Sequence, residues 1–115
     1  MIQVLDEAAC RKALEGGGFE IPPQGPAALI LTQGWCPQWR AMKAYLPEAE
    51  QRLPGLHILY VEYDRLSFYE EFMAFKENAF NNREIPYVRY HRDGECTGEG
   101  NFVSLEGFLR RLGAD

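Results

Sequence analysis

A chain of 115 residues with 46% hydrophobic, 25% charged and 13% aromatic content has the make-up of one folded domain spanning residues 1–115. Its formal net charge of −5 offers no basic stripe to displace counterions from phosphates, which argues against nucleic acid as a partner. Three cysteines cannot all pair within the chain, so a secreted disulfide scaffold is set aside. A core covering roughly 60 to 70% of the extended chain's surface is expected at this length without any staple. The opening Met1-Ile2-Gln3-Val4-Leu5-Asp6-Glu7 has no basic n-region or long apolar stretch, and no later run approaches the roughly 20 apolar residues of a membrane span. The expectation is a cytoplasmic monomer with no membrane contact.

Ile2 to Leu5 reads as a short strand, and Asp6 offers the N-cap of a helix through about Glu15, with Cys10 and Leu14 one turn apart. Gly16-Gly17-Gly18 ends that helix and opens a Gly/Pro-rich connection to Pro26. Ala27 to Thr32 is an uninterrupted apolar run, as expected of a strand covered on both faces. After Cys36-Pro37, Met42, Leu46, Ala49 and Leu53 recur at helical spacing up to Pro54-Gly55. Leu56 to Tyr63 is a second central strand. A helix over about Leu66 to Phe80 carries Phe68, Phe72, Phe75 and Ala79 on a stripe assigned to the core. Tyr87–His91 and Glu95–Thr97 flank Arg92-Asp93-Gly94, a hairpin turn in which Asp-Gly supplies positive φ. Gly98-Glu99-Gly100 reads as a bend, and Ser104 caps a last helix carrying Leu105, Phe108, Leu109 and Leu112. The order β-α-β-α-β-α-β-β-α implies an α/β protein with a mixed sheet between two helical layers.

One short segment concentrates the chemistry. Cys36 falls where a strand ends and a helix begins, in the partial positive field of unpaired helix N–H groups, which favours a thiolate. Pro37 suits the first helical turn, and Arg40 could add positive charge near the sulfur. Trp35 and Trp39 flank it as an aromatic platform or as packing. His57 and His91 lie away from Cys36 and are poor general-base candidates, and no Cys or His pair has metal-ligand spacing.

Trp35-Cys36-Pro37-Gln38-Trp39-Arg40 after an apolar strand resembles the W-C-x-x-C-[KR] motif of the thioredoxin-like family, and Ile85-Pro86 before a hairpin resembles that family's cis-proline. The resemblance covers nearly the whole chain, including Asp64 at the end of the third strand and the turn at Asp93-Gly94, and implies a three-layer α/β/α thioredoxin fold. It also implies that backbone beside Pro86 pairs with a substrate peptide. Two departures accompany it. The family's resolving cysteine is replaced by Trp39, and its buried acid falls near Ile30, so the dithiol cycle lacks both the second thiol and its proton acceptor. The stretch from Asp64 to Pro86 is also several residues longer than in a plain thioredoxin.

No other cysteine is expected to take over. Cys96 follows the hairpin turn, so about five strand residues of roughly 3.3 Å put it some 16 Å from the Pro86 end, and Cys10 has an apolar pattern around it; both are assigned structural roles. The leading expectation is therefore a monothiol thiol-disulfide oxidoreductase, with Cys36 as catalytic nucleophile. Trp35, Pro37, Trp39, Ile85 and Pro86 are assigned to substrate binding and Arg40 to support. A protein or low-molecular-weight disulfide is the partner, no metal or resident cofactor is expected, and glutathione enters only as a candidate co-substrate. The alternative is a redox-inactive binding module that holds a peptide or protein through Trp35, Trp39 and the Pro86 edge. A glutaredoxin-like glutathione or cluster binder ranks third, since no basic pair is evident for glutathione's carboxylates.

Overall fold

The computed structural model describes residues 1–113. Five strands, β1 (Ile2–Val4), β2 (Pro26–Thr32), β3 (His57–Glu62), β4 (Tyr87–Arg92) and β5 (Glu95–Gly100), form one sheet in the order β1-β3-β2-β4-β5. β1, β3 and β2 run parallel, while β4 and β5 are antiparallel additions at one side. Four helices complete the fold: α1 (Glu7–Lys12), α2 (Pro37–Arg52), α3 (Tyr69–Ala79) and α4 (Leu105–Arg111). The predicted order of elements and the α/β class are those observed.

Every residue of β2 is buried, because this strand lies between β3 and β4 with helices on both faces. Alternation along it divides the core. Ala28 and Ile30 pack with Met42 and Leu46 of α2 and Phe108 and Leu109 of α4. Leu29 and Leu31 pack with Cys10 of α1 and Phe72 of α3 on the opposite face. The helix starts follow from local chemistry: Asp6 Oδ1 accepts from the Ala9 N–H at 2.8 Å and Ser104 Oγ from the Gly107 N–H at 3.2 Å, each cap stabilising by about 1 kcal/mol. At the hairpin both Asp93 (φ 52°) and Gly94 (φ 84°) take positive φ. Asp93 is also tied to the segment entering β2, its Oδ1 accepting from the Gly25 N–H at 2.8 Å.

Four local expectations are corrected. The first helix is α-helical only to Lys12; Ala13–Gly17 forms a π turn in which Gly16 has φ 95°. The third helix begins at Tyr69, because Tyr63–Arg65 forms a 3₁₀ turn and Leu66 is extended, with the Ser67 hydroxyl donating to Glu7 Oε1 at 2.7 Å. Its buried stripe runs through Phe68, Phe72 and Lys76, leaving Phe75 half-buried and Ala79 exposed. Gly98-Glu99-Gly100 is part of β5, not a bend. The Arg111 guanidinium covers this strand, about 3.6 to 3.7 Å from where a Cβ would stand at Gly98 and Gly100, an ordinary contact distance, and it donates to the Glu99 carbonyl at 2.9 Å.

Candidate functional site

The site lies at the C-terminal end of β2, where the chain turns through Gln33-Gly34-Trp35 into α2. Cys36 is the N-cap of α2 and Pro37 its first residue. The Cys36 N–H donates to the Gln33 carbonyl at 3.3 Å and the Arg40 N–H returns to the Cys36 carbonyl at 3.0 Å. Pro37 has no N–H, so the Gln38 and Trp39 N–H groups are the helix donors left without an acceptor further back in α2. They set the positive end of the helix dipole beside the cysteine.

The Cys36 side chain makes no capping bond; its thiol points to the Ile85 carbonyl oxygen at 3.8 Å, a weak contact. The Ile85–Pro86 peptide is cis, with Pro86 buried and Ile85 half-buried, and it leads directly into β4. The structure thus brings Cys36 and the Ile85–Pro86 segment together although 49 residues separate Cys36 from Ile85. Cys36 itself is 5% exposed, and of the two flanking tryptophans only Trp35 is open to solvent, at 58%. Pro37 is exposed beside it, and Arg40, also exposed, turns its Nε onto the Gly34 carbonyl at 3.2 Å.

Trp39 corrects an expectation. Assigned to a substrate-binding surface, it is 0% exposed and stacks obliquely on Tyr60 with ring centroids 5.1 Å apart. A fully enclosed ring touches no ligand, so Trp39 belongs to the core beneath the site. Its indole N–H donates to Glu62 Oε2 at 2.8 Å, and Glu62 also pairs with Lys43 at 3.1 Å and Arg65 at 3.2 Å. Burial opposes ionisation of Glu62, but the hydrogen bonds from Trp39 and Lys43 and the charges of Lys43 and Arg65 outweigh it and hold the carboxyl below its ordinary range. The position where a resolving thiol would stand is therefore occupied by a large side chain with its own half-buried polar partner.

Three supporting residues escaped the sequence reading. Gln33 is buried, and its Oε1 accepts from the Trp35 indole N–H at 2.7 Å and from the Tyr69 hydroxyl at 3.3 Å, so the exposed ring of Trp35 is fixed in orientation. Tyr63 accepts from Gln33 Nε2 at 3.3 Å. Asp64, noted only as a strand end, accepts from the Gly34 N–H at 2.8 Å and so holds the turn that carries Cys36. None of these contacts leaves a periodic signal, since each joins a turn residue to a residue 30 or more positions away, or to its near neighbour within an aperiodic turn.

The other two cysteines stand apart. All three thiols are free. Cys10 packs on the α1/α3 side of the sheet while Cys36 belongs to the α2/α4 side, and burial, with Asp6 and Glu7 nearby, pushes the Cys10 thiol up to about 11. Cys96 pairs opposite His91 on β5 and is exposed, so it adds nothing to the core, contrary to the structural role expected of it. Among the described residues no three His, Cys, Asp or Glu side chains form a group able to hold a metal ion. Among the same residues no helix is long and apolar enough to cross a membrane.

No family model and no curated protein matches the sequence. Solved structures do match in shape. Thioredoxin O2 from Arabidopsis thaliana, in its oxidised state, aligns with a TM-score of 0.64 at 18% identity, over 96% of this chain and 93% of that one. The reduced Schistosoma mansoni thioredoxin pre-protein aligns at 0.62 and 15%, over 96% and 97%. Trxlp from Edwardsiella tarda aligns at 0.63 and 15%, over 97% and 98%. At 18% identity or less these likenesses bear on architecture, and with the strand order and helix placement described above they show that this chain has the thioredoxin fold.

Proposed function

We propose that the protein is a monothiol thiol-disulfide exchange protein with Cys36 as its nucleophile. The observation that carries this reading is the placement of Cys36 at the N-cap of α2, its sulfur against the Ile85 backbone, with Trp39 filling the position a second thiol would need. The resemblance of the Trp35-Cys36-Pro37 segment to the thioredoxin motif and the fold shared with thioredoxins support it. In the reaction, the Cys36 thiol loses its proton to solvent and the thiolate attacks one sulfur of a disulfide. The substrate S–S bond breaks, one thiolate leaves, and a mixed disulfide forms on Cys36. With no second thiol in reach, an external thiol such as glutathione attacks the mixed disulfide, releases the substrate sulfur from Cys36, and is itself left oxidised once a second external thiol has joined it. Two external thiols thus supply the two electrons that reduce one disulfide.

The substrate approaches along Trp35, Pro37 and the Ile85–Pro86 backbone, while Arg40 supports the turn through Gly34. Because Cys36 is 5% exposed, access favours small or extended disulfides over bulky ones. A Cys10→Ala, Cys96→Ser background isolates Cys36. In it, iodoacetamide should modify folded Cys36 at neutral pH faster than the same cysteine in urea. A folded rate at or below the unfolded rate overturns the assignment. The binding-module alternative loses support with Trp39 enclosed, because one of its two contact tryptophans cannot reach a partner.

A further inference from the structure

A cavity of about 340 Å³ lies on the opposite face of the sheet from α2, between α3, β4 and the Gly-rich segment after α1. Phe19, Ile21, Leu29, Phe75 and Phe80 form its apolar wall, and only two of its lining side chains are polar, Arg89 and His91. These stand two residues apart on one face of β4, opposite Leu29 and Ala27 of β2, so their Cα atoms are about 7 Å apart. They lie roughly 10 and 16 Å along the strand from Pro86, in a layer separate from Cys36.

Both are under-used by the protein. His91 is 7% exposed, and its Nδ1 has no hydrogen-bond partner. Such a buried orphan is destabilising unless something pairs with it. Arg89 is half-buried, with its guanidinium 4.7 Å from the Phe80 ring centroid, and it spends one donor on the Tyr87 hydroxyl at 2.9 Å. It makes no salt bridge among the described residues; the nearby Glu99 carboxylate accepts from Tyr87 instead, at 2.7 Å. A planar fork of spare N–H donors on an aromatic face is the usual receptor for a carboxylate. The roof is the segment the sequence marks only as a connection, where Gly16 (φ 95°) and Gly18 (φ 67°) let the chain fold back so that Phe19 meets Phe72 edge-on at 6.5 Å.

We infer that this cavity binds a small apolar carboxylic acid, its hydrocarbon or aryl body among the phenylalanines and its carboxylate on Arg89 and His91. At about 30 Å³ per water-sized volume the space takes roughly a dozen non-hydrogen atoms, at the small end of ligand pockets. Burial and the Arg89 charge outweigh an opposing hydrogen bond to the Arg89 backbone and hold His91 below its ordinary range, so it meets the ligand as neutral imidazole.

The test is a two-dimensional amide NMR titration with three probes of one shape: 4-phenylbutyrate, 4-phenylbutan-1-ol and 4-phenylbutylamine. The acid should bind one to one, with shifts centred on residues 13–21, 75–80 and 89–91, and at least about 10-fold more tightly than the alcohol or amine. Arg89→Met should remove that preference while leaving the alcohol's affinity unchanged. Ala79→Phe, which fills the exposed mouth without entering the core, should weaken all three and covers the case in which the Arg89 variant folds poorly. Equal binding of the three probes, shifts outside these segments, no binding of the acid, or an acid preference that survives Arg89→Met overturns the inference.

Discussion

Replacing Trp39 by Phe removes the indole N–H from Glu62 and keeps an aromatic ring against Tyr60. Trp39 is fully enclosed, so the smaller ring loses roughly 40 Å² of buried apolar surface, about 1 kcal/mol at some 25 cal/mol/Å². The lost bond to Glu62, 2.8 Å long and made to a charged acceptor, adds about 1.5 to 3 kcal/mol. Lys43 and Arg65 remain on the carboxylate, which places the sum in the lower part of the range, at about 2.5 to 3 kcal/mol. Urea unfolding followed by far-ultraviolet circular dichroism should show a lower midpoint with an unchanged slope. Paired with Glu62→Gln in a double-mutant cycle, the two changes should couple by about 1 to 2 kcal/mol. A cost below about 0.5 kcal/mol, or strict additivity, would refute the view that Trp39 is held as a structural partner of Glu62. Trp39→Cys, which restores the dithiol spacing, should cost more, about 3 to 5 kcal/mol, because it leaves a cavity as well as removing the indole N–H from Glu62.

Further expectations follow from the titrating groups and the turn. Glu62 has its folded pKa below the ordinary 4.5, so its contribution is full above that value and lost as pH falls through the folded pKa; the stability gap between wild type and Glu62→Gln should close in acid. Lys76 is 0% exposed, its ammonium donates to the Glu84 carbonyl, and burial lowers its pKa from 10.5. Between the folded value and 10.5 the unfolded chain binds more protons, so stability should rise with pH there, and Lys76→Met should abolish that rise. At neutral pH the same variant should range from unchanged to about 2 kcal/mol more stable, and a loss beyond about 2 kcal/mol would contradict this. Asp64→Ala strips the Gly34 N–H of its acceptor and should cost about 1 to 2 kcal/mol while changing the Cys36 alkylation rate several-fold. Asp93→Ala, at the other end of β2, should cost as much and leave that rate unchanged.

The architecture was legible because each element carries its own signal. The fully apolar run Ala27–Thr32 marks a strand covered on both faces, Asp93-Gly94 marks the hairpin, and Asp6 and Ser104 mark helix starts. Lys76 was hidden because a charged residue at the next turn after Phe72 breaks the apolar stripe, and the backbone carbonyl of Glu84 together with the Tyr87 ring makes its burial tolerable. Gly98 and Gly100 misled because glycine carries no strand signal of its own, and it is their pairing with Tyr90 and Val88 of β4 that keeps them in β5. At the site, Cys36 and Pro37 were readable from their place between strand and helix, and the cis bond at Pro86 from the family resemblance. The depth of Trp39 and the roles of Gln33, Glu62 and Tyr69 were not, since burial at a helix's first turn depends on what β3 and α3 present to it.

The central claim is that Cys36 carries out one-thiol exchange, and incubation of the Cys10→Ala, Cys96→Ser protein with glutathione disulfide tests it most directly. Intact-mass spectrometry should show one glutathione per chain on Cys36, formed faster than in the urea-unfolded protein, stable in the absence of added thiol and released by reduced glutathione. No adduct on folded Cys36, or an adduct that clears without any external thiol, would contradict the account.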